Sequence, residues 1–264
     1  MSNPLPLPNA SRDLLGSLID DASMLGVNQP SLSDAVAGYR SARAAAAAPV
    51  LGTFLCPASR LIELSGELVA TMAATEAPWP ITVVVDGDLG AAVTALHAFS
   101  AAMEPAARIV LAARPGLASS AEATTAFAMP MATLLDVATG PAQDPVVAAR
   151  FISDSARTGG PFVAWGLDHV MRTADRPGIL NMVGAAALAA DHASEAALVA
   201  VLEEIDPATF RLGRAGLTWR HHTIAAVTLR RVRATVLRAV ASSHPTPVVG
   251  DLSALWCADI HRNQ

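Results

Sequence analysis

Apolar residues along the chain fall into two alternating patterns. Short continuous runs, several rich in β-branched residues, are separated by stretches in which apolar residues return every three to four positions. The runs are "PVLGTFLCPASR", "WPITVVVDGD", "ARIVLAARPG", "MATLLDVATG" and "PFVAWGLDH". The third is followed by a short helix expected within 119–128, and the fourth is the weakest of the five. The periodic stretches between the others are "RLIELSGELVATMAA", "LGAAVTALHAFSAAM" and "DPVVAARFISDSARTGGP". The last carries the clearest helix signals: Asp144 to cap, Pro145 in the first turn and Gly159 just past the end. Strands without polar alternation, joined by helices, indicate βαβ units and a parallel sheet covered on both faces.

The ends of the chain are less regular. Residues 1–11 are rich in proline and asparagine. "SRDLLGSLIDDASML" has the periodicity of an amphipathic helix, with Ser11 as cap, Leu14, Leu15, Leu18 and Ile19 on the apolar face, and Asp20 and Asp21 towards solvent. A second helix begins at Ser31 or Ser33 and runs into Ala44–Ala48. Beyond residue 176, "GILNMVGAAALAADHASEAALVAVLEEID" is mostly helical, with a short strand expected near Leu180–Val183. "ATFRLGRAGLTWR" predicts two strands turning at Gly213 or Gly216. "TIAAVTLRRVRATVLRAVASS" predicts one long helix, on which Arg230, Arg231, Arg233 and Arg238 occupy a solvated surface. "PTPVVGDLSALW" closes the chain.

Five firm strands and two or three weaker ones favour a (β/α)8-like (TIM-type) barrel, incomplete or irregular, over an open doubly wound parallel sheet. The expected division is an N-terminal extension over residues 1–48, packing on a barrel domain over 49–264. No G-x-G-x-x-G follows the first strand, which removes the usual dinucleotide signature; "GDLGAA" at 87–92 has the wrong spacing.

Composition narrows the chemistry. The chain has 264 residues, 52% of them hydrophobic and 16% charged, enough to bury a large core. A formal net charge of −5 argues against nucleic acid as a partner. All 18 basic residues are arginines. Without lysine there is no side-chain amine for a Schiff base, no internal aldimine for pyridoxal phosphate and no Walker-type loop. Two cysteines, Cys56 and Cys257, form no C-x-x-C motif, which suits a reducing compartment. With no secretory signal and no uninterrupted apolar span, the expectation is a cytoplasmic protein that enters no membrane. Its alanine-rich helices suit a homodimer.

In parallel α/β folds, ligands bind beyond the carboxyl ends of the strands, so polar residues closing apolar strands are the candidates. Asp86, Asp168 and His169 are the candidate acid–base residues. Ser59, Arg60, Asp88 and Trp165 are candidates for substrate binding, with Arg60 suited to a carboxylate or phosphate; Arg114 and Asp136 end strands too. Asp88 suits the cap of the following helix better than a binding role, and Cys56 suits a buried small hydrophobe better than a nucleophile. Asp168 would orient His169 only if adjacent side chains converge. Asp21 joins the set if its segment covers a barrel end. His221-His222 lacks an i+4 partner. A metal site from Asp86, His169 and one of these histidines is conceivable, but nothing in the spacing demands one, and no cofactor is expected. His97 and His192 fall inside helices.

"LIDDASML", "LGTFLCPASRL" and "PFVAWGLDHVMR…GILNMVGAAALA" together resemble an uncharacterised family of bacterial proteins of similar length. That family's pattern has a Leu-Ile/Val-Asp-Asp/Tyr-Ala opening, Pro-Ala-Ser/Ala-Arg-Leu after the first strand, and Pro-Phe-Lys-x-Thr-x-Gly-Leu-His-His-Pro followed by Gly-Phe-Leu-Asn. The resemblance implies that Asp21, Arg60, His169 and Asn181 stand at matching positions, and adds Asn181 to the binding candidates. It also implies departures. Val163 or Ala164 replaces a strand lysine, Asp168 replaces the first histidine, and "LLDVATG" replaces a Lys-x-Arg-Thr-Gly-Gly strand end. Two readings follow: a cofactor-independent lyase, isomerase or cyclase acting on a small metabolite at the barrel rim, or an inactive homologue that binds a ligand or a partner.

Overall fold

The computed structural model describes residues 14–45, 48–73, 76–104, 107–115, 117, 127, 131–213 and 216–252. Seven strands close a parallel barrel: β1 (Ile19–Asp21), β2 (Leu51–Pro57), β3 (Trp79–Val85), β4 (Ala107–Ala113), β5 (Met131–Asp136), β6 (Phe162–Trp165) and, late in the chain, β10 (Leu237–Ser242). Going round, the order is β1-β10-β6-β5-β4-β3-β2, so neighbours follow the chain and β10 seals the ring between β6 and β1. Every pairing in this ring is parallel. This is a TIM-type barrel with seven strands in place of eight.

Helices α1 (Leu32–Ala44), α2 (Leu61–Thr71), α3 (Leu89–Met103) and α4 (Pro145–Thr158) return the chain between strands. Their ends follow local chemistry. Asp88 caps α3 by accepting from Ala91 N at 2.8 Å, and Asp144 caps α4 by accepting from Val146 N at 2.8 Å. Gly159 ends α4 in the left-handed region at φ 71°, where a Cβ is disfavoured. Between β6 and β10 lie α5 (Ile179–Ala190), α6 (Glu195–Leu202), an antiparallel sheet β7–β8–β9 (Phe210–Gly213, Gly216–Trp219, His222–Ala225) and α7 (Ala226–Thr235). Among the described residues, no helix is long and apolar enough to cross a membrane.

Side chains alternate across each strand, which separates the inside of the barrel from the outside. Leu55, Val84, Ala112, Ala132, Leu134, Val163, Ala239 and Ala241 form one buried cluster with Ala22, and Leu25 and Trp165 pack against it. Their strand neighbours Phe54, Cys56, Val83, Val85, Leu111, Phe162, Ala164 and Val240 belong to two outer clusters under the helices. The first cluster draws on every long strand of the ring and is therefore the interior. Five of its nine fully buried members are alanine. A seven-strand ring is narrower than an eight-strand one, so small side chains are what its centre admits. Outside, Tyr39, Phe54 and Trp79 meet with ring centroids 5.1–6.0 Å apart and anchor α1.

Three elements differ from the sequence expectation. Ile19–Asp21, expected on an amphipathic helix, is barrel strand β1, so the barrel begins well before residue 49. Leu18 and Ile19 are buried, as the pattern required, but Asp20 and Asp21 are buried too. Asp20 is tolerated because β2 carries an extra residue opposite β1, and its carboxylate accepts from the freed Thr53 N at 2.6 Å. An added Cβ on Gly52 would overlap that carboxylate. Second, the expected long helix over 223–243 is β9, α7 and β10. Arg233, expected on its solvated face, instead folds inward on the barrel floor. Third, Leu180–Val183 is helical within α5 rather than a strand: Met182 and Val183 are buried in the outer core, and Asn181 accepts from Gly178 N at the helix start. The helix expected within 119–128 lies outside the described residues, save for Phe127.

Candidate functional site at the barrel mouth

Because all seven strands run the same way, their carboxyl ends meet at one mouth. Asp86 follows β3 there, and Asp168 and His169 follow β6. The polar residues at this rim divide into two sectors with different chemistry.

On the β2–β3 side the candidates are mutually engaged. Asp86 is exposed and accepts from Ser59 N at 3.1 Å and from Ser59 Oγ at 2.6 Å. Arg60 closes both arms of its fork on Glu63, Nε to Oε2 at 2.8 Å and Nη2 to Oε1 at 2.7 Å. Asp88 is the helix cap. Cys56 is buried, and desolvation pushes its thiol up to about 12, the environment of a small core residue. On β5, Asp136 accepts from Ala138 N, Thr139 N and Thr139 Oγ1, closing its own turn.

On the β6–β10–β1 side an open arrangement appears. Gly166, at φ 93°, turns the chain sharply after Trp165 against Ala138 of the neighbouring loop. That turn delivers Asp168 to the end of β10. Its Oδ1 accepts from Ser242 Oγ at 2.7 Å and from Ser243 N at 2.9 Å, and Ser243 Oγ lies 3.1 Å from both carboxylate oxygens. Burial pushes the Asp168 carboxyl up, but these donors outweigh it and hold the group below its ordinary value. Asp168 is therefore ionised at neutral pH.

The histidine beside this carboxylate is His244, not His169. Ser243 Oγ lies 3.1 Å from His244 Nδ1, and Asp168 Oδ1 lies 3.9 Å from the same nitrogen. An ionised carboxylate only accepts, so the Ser243 hydroxyl proton points to Asp168. The Ser243 oxygen then accepts from His244 Nδ1–H. This leaves His244 Nε2 with a lone pair, on a ring that is largely exposed.

Buried side-chain atoms without partners fall on the segments that end or follow β1 and β6. Four buried side-chain atoms have no hydrogen-bond partner among the described residues: Ser23 Oγ, Trp165 Nε1, Arg172 Nη1 and Arg176 Nε. Ser23 follows β1, Trp165 ends β6, and the two arginines sit on the loop leaving β6. Gly26, three residues past Ser23, approaches the Trp165 ring. The loop doubles back: Ile179 N bonds His169 O, Leu180 N bonds Val170 O, and Thr173 N bonds Arg176 O, so Arg172 and Arg176 flank one tight turn.

Several sequence candidates do not join this group. His169 is exposed and is not among the partners of Asp168; its carbonyl anchors α5. Asn181 is fully buried. Its Oδ1 caps Gly178 N at 3.0 Å and its Nδ2 bonds Val201 O and Glu204 O, which ties α5 to the end of α6 and leaves nothing for a substrate. Asp21 is buried at the end of β1, accepts from Ser23 N at 2.9 Å, and is raised by desolvation. His221 and His222 lie by the β7–β9 sheet, where His222 stacks on Trp219. Among the described residues, no three His, Cys, Asp or Glu side chains gather as a metal site. Ser242, Ser243 and His244 were missed because they were assigned to a helix and its exit. The signal was present: Leu237, Ala239 and Ala241 alternate, and Ser-Ser-His-Pro closes the run as other polar ends close other strands.

Set against protein-family models, curated proteins and solved structures, the chain matches none.

Proposed function

We propose that the protein is an enzyme that moves a proton on a small metabolite at the β6–β10–β1 side of the mouth, a reaction of lyase, isomerase or cyclase type. Asp168, held ionised, fixes Ser243; Ser243 fixes the His244 tautomer; His244 Nε2 acts as general base and returns the proton as general acid. The observation that carries this reading is the Asp168–Ser243–His244 relay, with distances of 3.1 Å on each side of the hydroxyl. Proton transfer by an imidazole calls for no cofactor, and the cytoplasmic assignment rests on the cysteine pattern. If the chain is a divergent member of the family it resembles, this histidine just after β10 takes over from the missing strand lysine.

A second reading, ligand binding without turnover, is favoured by the engagement of Arg60 with Glu63 and Asp86 with Ser59. The two readings separate in one experiment. Purified protein is incubated with fractionated metabolite extract, and depletion is followed by mass spectrometry. Turnover that falls by about 100-fold or more in His244→Ala, with an unchanged melting temperature, supports catalysis. Turnover that survives in His244→Ala, or its absence from every fraction, overturns it.

A further inference from the structure

We propose that Arg172 and Arg176 form an oxyanion site on the loop leaving β6, which takes the carboxylate or phosphate group of the substrate. The inference rests on the reading of the β6–β10–β1 sector as the substrate site, and supplies what that reading lacks: the substrate's chemical class.

The argument starts from the unpartnered atoms. A buried N–H without an acceptor is costly, and folded proteins leave few. Here the four unpartnered side-chain atoms belong to the last residue of β6 or to the loops that follow β1 and β6, the two strands that flank β10. Three of them, Trp165 Nε1, Arg172 Nη1 and Arg176 Nε, can only donate. What they lack in common is an acceptor, and two belong to guanidinium groups, whose planar fork matches carboxylate and phosphate oxygens. The loop that carries them is pinned on both arms. The bonds at His169–Ile179, Val170–Leu180 and Thr173–Arg176 hold it, and an added Cβ on Gly178 would collide with the Met171 backbone. The two arginines are thus preorganised about one turn, so an arriving anion needs little rearrangement of the backbone. Asp175 Oδ2 lies 3.5 Å from Arg176 Nη2, a pairing of a half-buried guanidinium with an exposed carboxylate that leaves Nε unanswered. The expected anion binder, Arg60, has already closed on Glu63.

The test uses the full chain and two probes, inorganic phosphate and succinate, titrated by calorimetry at low salt, with sodium chloride as the matched ionic-strength control. Wild-type protein is expected to bind at least one probe saturably, and the stronger of the two identifies the substrate group. Arg172→Gln and Arg176→Gln are each expected to weaken binding at least tenfold, and Arg172→Lys to weaken it because an ammonium cannot form the fork. Arg157→Gln, at the far end of α4, should bind as wild type does. If Arg172→Gln melts well below wild type, Arg172→Lys and Arg176→Gln carry the comparison. No saturable binding beyond chloride, or binding unchanged in the arginine variants, overturns the proposal. His244→Ala separates it from the catalytic reading, since it should lose turnover and keep the anion. Anion binding that depends on Arg172 in a protein without turnover sinks only the catalytic reading. Turnover whose KM is indifferent to Arg172 and Arg176 sinks only the oxyanion site.

Discussion

The floor and the mouth of the barrel both bury parts of arginine side chains, and they treat them in opposite ways. At the floor, Arg233 reaches from α7 to the carbonyls of Gly16, Ser17, Leu237 and Arg238, stitching the entry of β1 to the entry of β10. Desolvation pulls its pKa down to about 10, yet its donors are answered. At the mouth, Arg172 Nη1 and Arg176 Nε are buried and unanswered. The same guanidinium chemistry closes the ring at one end and waits for an acceptor at the other. The lesson is that position on a barrel sets a residue's role more firmly than its type does. Carboxyl ends of strands are where unsatisfied polarity is retained for ligands, while the opposite end is sealed for stability.

The largest effect that would sharpen this contrast comes from the floor. Arg233→Leu removes four donated hydrogen bonds that join the entries of β1 and β10 and should cost roughly 3 kcal/mol or more, read as a drop in the urea midpoint. The corresponding truncation at the mouth, Arg172→Gln, should cost under about 1 kcal/mol, because no protein contact is lost at the unpartnered atom. Equal costs at the two ends would break the comparison.

Asp20 gives the next effect. It is 2% exposed on the first barrel strand, and burial raises its pKa from 3.8 to about 7, against the opposing pull of the Thr53 hydrogen bonds and of Arg233 and Arg238. The folded state therefore holds this proton over a range where the unfolded chain has released it. The stabilisation is complete below pH 3.8 and is lost as pH rises through about 7, a span worth up to about 4 kcal/mol by linkage. Asp20→Asn should flatten the corresponding part of the stability–pH curve, measured by denaturation between pH 4 and pH 8. An unchanged slope would show that Asp20 is not the titrating group.

Five barrel strands and four helices were legible in the sequence because each advertises itself locally. "ITVVV" can be little but a buried strand, and Asp144, Pro145 and Gly159 mark out α4. The two strands that close the ring were not legible, and for a shared reason. β1 is three residues long and carries two acids, made tolerable by a bulge in β2 that no local pattern shows. β10 is alanine-rich and directly follows helical α7, so its periodicity is swamped. Since the candidate site lies between these strands, what the sequence concealed was its centre. Trp165 and Asp168 were found because they end a legible strand. Ser243 and His244 follow a strand whose alternation is overshadowed by the helix before it, and Arg172 and Arg176, on the loop after legible β6, show their unpartnered donors only in three dimensions.

The claim that matters most is that a ligand occupies the β6–β10–β1 sector, and Trp165 is a built-in reporter for it. Intrinsic fluorescence should be titrated with phosphate and succinate in wild-type protein and in Trp165→Phe. A saturable change that disappears in Trp165→Phe, while Trp79, Trp219 and Trp256 remain in place, is the expected result. A change that persists undiminished without Trp165 would place the ligand elsewhere and contradict the account.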